Sequence, residues 1–195
     1  MIIQQNLPYK LIQQQPYCCV PACIAMILDR RNIPHGIQEE IGYELGLIVP
    51  KKEERLFLKV RTGKKPISGW GTQVQKKHYS INKYFGNYNI PLQERTYHVE
   101  ELIDVATFIA DNLKDGNDII VCFEYGKLFG KGNWGHACLI DSIDINHRII
   151  TLLDPEVKVK REVSLEKLVY AIKVHEKKGG AFWLITSNHA SQRTL

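Results

Sequence analysis

The 195-residue chain has no apolar run approaching the roughly 18 residues that a membrane-spanning helix needs. Its first residues, Met1-Ile-Ile-Gln-Gln-Asn6, carry neither a basic stretch nor a small-residue cleavage site, so no standard secretory signal is expected. Internal repeats and low-complexity tracts are missing, which excludes solenoids and extended linkers. The basic pairs Lys51-Lys52, Lys64-Lys65, Lys76-Lys77 and Lys177-Lys178 abut loop-like sequence without interleaved aromatic residues. They read as solvated faces, and no nucleic-acid partner is expected despite the net charge of +5. The five cysteines are an odd number and cannot all pair within one chain. With no export signal, that favours free thiols and a cytoplasmic location, with export as an effector left open.

What is present is an ordinary globular composition, 44% hydrophobic and 24% charged, in a chain long enough for one domain with a sizeable core. Three of the five cysteines crowd into Gln13-Gln-Gln-Pro-Tyr-Cys-Cys-Val-Pro-Ala-Cys-Ile-Ala-Met-Ile-Leu28. Val20, Cys23, Ile24, Ile27 and Leu28 recur at helical spacing, Asp29-Arg30-Arg31 closes the run, and Pro21 falls in the first turn. Cys19 then sits at the helix start, where free N–H groups and the positive dipole end favour a thiolate. Gln13, six residues upstream, can fold back as an oxyanion donor, as can its neighbours Gln14 and Gln15.

Residues 1–12 read as extended, with Leu7–Leu11 a candidate edge strand or a segment packing across the core. Asn32–Gly36 reads as a turn, and Ile37, Ile41 and Leu45 mark a second helix ending near Gly46. Residues 50–71 suggest a long surface excursion. Gly71-Thr72-Gln73 is expected to cap a helix running toward Gly86, and Glu100–Leu113 another. From Asp118 the pattern changes to strands: Ile119–Phe123, His136–Ile140, Arg148–Leu153 and Ala181–Thr186, with a glycine-rich loop over 126–135. A helix capped by Ser164 separates the last two. The expectation is an α+β chain of one domain, mainly helical over 1–115 and mainly antiparallel sheet over 116–195.

The hairpin between the middle strands turns at Asp144 and Asn146. If it closes near residue 145, paired positions sum to about 290, which sets His136 opposite Asp154. A carboxylate on one imidazole nitrogen leaves the other free to take a thiol proton. Cys19 as nucleophile, His136 as base and acid, Asp154 as orienter and Gln13 as oxyanion donor make a complete site. Gly135 would leave room for a substrate backbone, and Pro155 would end the strand.

Gln13, Cys19-Val-Pro-Ala-Cys-Ile-Ala-Met26, Gly135-His136 and Asp154-Pro155, in that order, resemble the papain-like cysteine peptidases. They are most similar to the bacterial bacteriocin-processing double-glycine leader peptidases and their stand-alone relatives. The resemblance implies a papain-like fold with the active site between two lobes. It also implies cleavage of a peptide bond in a peptide or protein through a thioester, and no required cofactor. Two features depart from the family: Cys18-Cys19-Val20 stands where Asp-Cys-Gly is usual, and no fused transporter span is present. A β-branched Val20 could crowd the cleft.

Other readings stand beside this one. Cys18 is the rival thiol, while Cys23, Cys122 and Cys138 read as core residues. Cys18, Cys19, Cys23, His136 and Cys138 could in principle ligate a metal, although the spacings fit no standard zinc pattern. The same triad also suits an acyltransferase, a transglutaminase-like enzyme or a deamidase, and a drifted cleft would leave a catalytically inactive binding module. His35, His78, His98, His147, His175 and His189 read as solvated. Trp70 and Trp134 are candidates to line the cleft or to pin loops, and Gly179-Gly180 reads as a turn.

Overall fold

In the computed structural model, residues 1–188 are described. In chain order the elements are β1 (Ile2–Gln4), α1 (Cys19–Arg30), α2 (Gln38–Glu44), β2 (Ile48–Val49), β3 (Arg61–Thr62), α3 (Ile81–Asn87), β4 (Leu92–Tyr97) and α4 (Val105–Lys114). They continue with β5 (Asp118–Glu124), α5 (Tyr125–Phe129), β6 (Gly135–Asp144), β7 (Ile149–Asp154), β8 (Val159–Ser164), α6 (Leu165–His175) and β9 (Ala181–Ser187). The main sheet is antiparallel, ordered β4-β9-β5-β6-β7-β8, with β1 also paired to β6. Among the described residues no helix is long and apolar enough to cross a membrane.

Both faces of this sheet are covered, which explains why β5 is buried throughout and apolar from Ile119 to Phe123 instead of alternating. Ile120 and Cys122 pack with α1, α2 and α3, while Ile119, Val121 and Phe123 pack with α4 and α6. The chain halves therefore interleave. The first contributes β1 and β4 to the sheet, and α4 lies on the face opposite α1.

Helix α1 is the centre of one layer; Val20 to Leu28 are all buried. Its C-terminal end is clamped to the start of β5, where Asp118 takes Arg30 at 2.6 Å and Arg31 at 2.7 Å, and Tyr9 donates to it at 2.6 Å. From that clamp the helix rises about 1.5 Å per residue, so Cys19 lies about 17 Å from Arg30. Phe123, the partner of His136, lies about as far from Asp118 at about 3.3 Å per strand residue. The matched lengths bring the start of α1 to the end of the sheet where β6 begins. Midway, the Cys23 thiol donates to Ala137 O at 3.6 Å.

Several expected boundaries move. The N-terminal strand is Ile2–Gln4; residues 7–11 form no strand but pack against the core, with Tyr9 buried and bonded to Asp118. Residues 71–80 hold turns and a short 3-10 segment because buried Gln73 spends its amide on the carbonyls of Gly69, Gly71 and Thr72. Helix α3 starts instead where Ser80 Oγ accepts the Lys83 N–H. Helix α4 starts at Asp104, whose carboxylate accepts from Ala106 and Thr107, and not at Glu100. The 126–135 loop contains the one-turn helix α5, and the 50–71 excursion contains a 3-10 turn and β3 beside β2.

Candidate active site

The hairpin expected near residue 145 forms, with Asp144 Oδ1 accepting from Asn146 N at 3.0 Å. Its register differs from the expected one. Ile143 pairs with Ile150 and Ser142 with Thr151, sums of 293; past a bulge at Asp141, Ile140 pairs with Leu152 and Leu139 with Leu153, sums of 292. Continued one step, this sets Cys138, not His136, opposite Asp154. Without the bulge Asp154 would face Leu139 and lie on the other side of the sheet from His136. One extra residue restores the parity that puts His136, Cys138 and Asp154 on one face. Lys160 Nζ holds the carboxylate of bulge residue Asp141 at 2.7 Å.

His136 Nε2 and Asp154 Oδ1 are 2.8 Å apart, and both residues are buried. The same oxygen accepts the Glu156 N–H at 2.9 Å, just past Pro155. Asp154 Oδ2 is buried with no hydrogen-bond partner; Arg161 Nε lies 3.1 Å away as an ion pair, outside hydrogen-bond alignment. The guanidinium carbon of Arg161 sits 4.1 Å from the centre of the Phe129 ring, which fixes it. Phe123 and Tyr125 meet the imidazole edge-on, at 5.8 and 5.3 Å.

Burial by itself lowers the pKa of His136, but contacts with Cys138, Asp154 and Cys19 outweigh it and hold the imidazole well above its ordinary value. Burial pushes the Cys138 thiol up to about 11, so Cys138 carries no charge at neutral pH. There the elevation rests on Asp154 together with the hydrogen bonds to Cys138 and Cys19. Burial also acts to raise the pKa of Asp154, yet its bonds to His136 and Glu156 and the nearby Arg161 hold it below the usual value.

Cys19 is the half-buried first residue of α1 and lines a cleft of about 580 Å³ together with His136, Gln13, Trp70 and Trp134. Cys18 does not line it: it is fully buried, and burial with the neighbouring Cys19 and Glu39 pushes its thiol up to about 12. Val20 packs into the core at 4% exposure, so it does not crowd the cleft. Gln13 reaches the cleft, but its amide donates to Pro155 O at 3.0 Å and also to Glu156 O. Gln14 bonds the Glu156 carboxylate. Trp134 stacks on Tyr125 at 5.1 Å.

His175 is not solvated. It is 2% exposed, its Nδ1 lies 2.7 Å from Glu124 Oε2, and its ring lines the cleft. A Cβ on Gly135 would stand 2.3 Å from its Nε2, so the space beside Gly135 holds this imidazole and not a substrate backbone. The signal available was the amphipathic pattern of α6, which turns position 175 inward with Leu168 and Ile172. Of the other histidines, His98 pairs with Glu176 at 3.2 Å and His35 with Asp29 at 3.0 Å, while His189 lies outside the described residues. Gly179-Gly180 forms the turn into β9, with Gly179 at φ 107°.

No family model and no curated protein matches the chain. Among solved structures it is similar to a crystal structure from Bacillus anthracis provisionally named a C39-like peptidase. The TM-score is 0.61 at 16% identity, over 96% of this chain and 98% of that one. The chain thus has a C39-like, papain-like peptidase fold, built of mixed helix and antiparallel sheet.

Proposed function

We propose that this is a cysteine peptidase of one papain-like domain, acting on a peptide or protein, with its site where the start of α1 meets the start of β6. The observation that carries the reading is the chain of contacts Cys19–His136–Asp154 opening on a cleft. His136 takes the Cys19 proton and the thiolate attacks the scissile carbonyl carbon. The C–N bond breaks as the imidazolium protonates the leaving amine. Water then attacks the thioester with His136 as base, releasing the acid and restoring the thiol. The main-chain N–H groups of Cys19 and Val20, at the start of the helix, lack intrahelical partners and are the donors for the developing oxyanion. Gln13 joins them by turning its amide from the Pro155 and Glu156 carbonyls. The five unpaired thiols suit a reducing compartment.

The test is the pH dependence of iodoacetamide labelling at each cysteine, in wild type and in His136→Ala. Fast labelling at Cys19 alone below neutral pH, abolished without His136, supports the triad; an ordinary thiol profile indifferent to His136 overturns it. Trapping the acyl-enzyme and adding amine acceptors then separates hydrolysis from acyl transfer.

A further inference from the structure

We propose that His136, Cys138 and Asp154 form a binding site for a zinc-like divalent cation, and that occupying it switches the thiol chemistry off. Among the described residues this is the one group of histidine, cysteine and carboxylate side chains whose donor atoms converge, all within 4.8 Å of one another and all buried. The set differs from the cysteine-rich one that the sequence offered: Cys18, Cys19 and Cys23 fall away, and Asp154 enters.

The placement follows from strand geometry. His136 and Cys138 are alternate residues of β6 and share a face, and the register past the bulge brings Asp154 of β7 against Cys138. Imidazole nitrogen, thiolate sulfur and carboxylate oxygen are the donors zinc takes, at about 2.0 to 2.3 Å, so tetrahedral donors stand about 3.5 Å apart. Closing the observed triangle needs shifts of about an ångström. Asp154 Oδ2 is buried and makes no hydrogen bond; its one charged partner is Arg161 at 3.1 Å, whose ion pair the bound ion would share. A thiolate and a carboxylate neutralise a dication, which makes the buried site tolerable despite Arg161. The Glu156 N–H on Oδ1 and Arg161 beside Oδ2 fix the carboxylate, as outer partners of metal ligands do. His136 lines the cleft and gives the ion its way in.

Binding balances simply. The Cys138 thiol and the His136 Nε2–H each release a proton to solvent as sulfur and Nε2 take the metal, and Nδ1 keeps its proton. The ring then has no lone pair for the Cys19 proton. That consequence rests on the peptidase reading; the binding does not.

The test uses full-length Cys19→Ala protein titrated with Co²⁺ and then Zn²⁺. Expected are one equivalent of cobalt with thiolate charge-transfer and four-coordinate ligand-field bands, displaced by zinc. Adding Cys138→Ser to this background should weaken cobalt binding by more than about 100-fold, beyond the effect of losing an outer partner. Should that double variant not fold, Asp154→Asn in the same background serves, and the same loss is expected. Cobalt bands absent in Cys19→Ala, or unchanged by Cys138→Ser or Asp154→Asn, overturn the site. In wild type, a chelator should restore iodoacetamide labelling of Cys19 that zinc has slowed; zinc inhibition equally strong in Cys138→Ser would place the ion on Cys19 and overturn the proposal.

Discussion

Two buried imidazole–carboxylate pairs border one cleft, His136 with Asp154 and His175 with Glu124. Their hydrogen bonds measure 2.8 and 2.7 Å, and both imidazoles are 2% exposed. They differ in the nitrogen committed and in what faces the rest of the ring. His136 gives Nε2 to its carboxylate and meets Cys19 and Cys138; His175 gives Nδ1 and turns Nε2 on Gly135. A carboxylate-held imidazole is thus not a catalytic feature by itself. In the proposed peptidase the distinguishing feature is the thiol beside His136, whereas His175 meets backbone instead.

The largest expected effect separates the pairs in activity. His136→Ala should lower kcat/KM for peptide hydrolysis by at least about 10⁴-fold. His175→Ala should stay within about 100-fold, the scale of a displaced site wall. Equal losses would erase the distinction. The next effect separates them in stability. Glu124→Ala leaves a buried imidazole unpaired, with Oε2 and the approach of Lys178 Nζ at 4.0 Å also lost. Denaturant unfolding should show a cost of about 3 kcal/mol, the low end for removing one partner of a buried pair.

Gly135→Ala probes the wall itself. The new Cβ would meet His175 Nε2 at 2.3 Å, and overpacking of this kind costs about 1 to 3 kcal/mol. In a His175→Ala background the cost should largely vanish, a coupling readable from a double-mutant cycle. Additive effects would mean that Gly135 is constrained by something other than this ring.

The difference between the pairs also explains what could be read from the sequence. Cys19 announces itself through a local pattern, a helix start before an apolar run. The His136–Asp154 pairing was legible as a shared face, because parity needs only an even sum. The particular partner was not legible, since the bulge at Asp141 leaves no mark in composition. His175 was missed because its partner lies 51 residues away, across a layer. The sheet's interior strands, β5 and β9, were plain as apolar runs, whereas its edges were not. β4 reads Leu92-Gln-Glu-Arg-Thr-Tyr97 and β8 reads Val159-Lys-Arg-Glu-Val-Ser164. Charged edges discourage further pairing and hide strands from hydrophobic patterning.

The smallest effect is a shift in pH, and it tests whether Asp154 does for His136 what no thiol needs Glu124 to do for His175. Asp154→Asn removes the charge that holds the His136 pKa up, so the pKa falls toward the ordinary 6.5. An imidazolium beside a thiolate then survives to a lower pH, and the alkaline limb of kcat/KM should move acidward. Stability carries the same sign. In wild type the raised His136 pKa contributes stability that is complete below 6.5 and lost as pH rises through the folded value. The depressed Asp154 pKa contributes stability present above 3.8 and lost as pH falls through its folded value. Asp154→Asn should therefore lower Tm most between those limits and least outside them. Glu124→Gln should leave the alkaline limb in place; a matching shift would mean that both imidazoles serve the same proton.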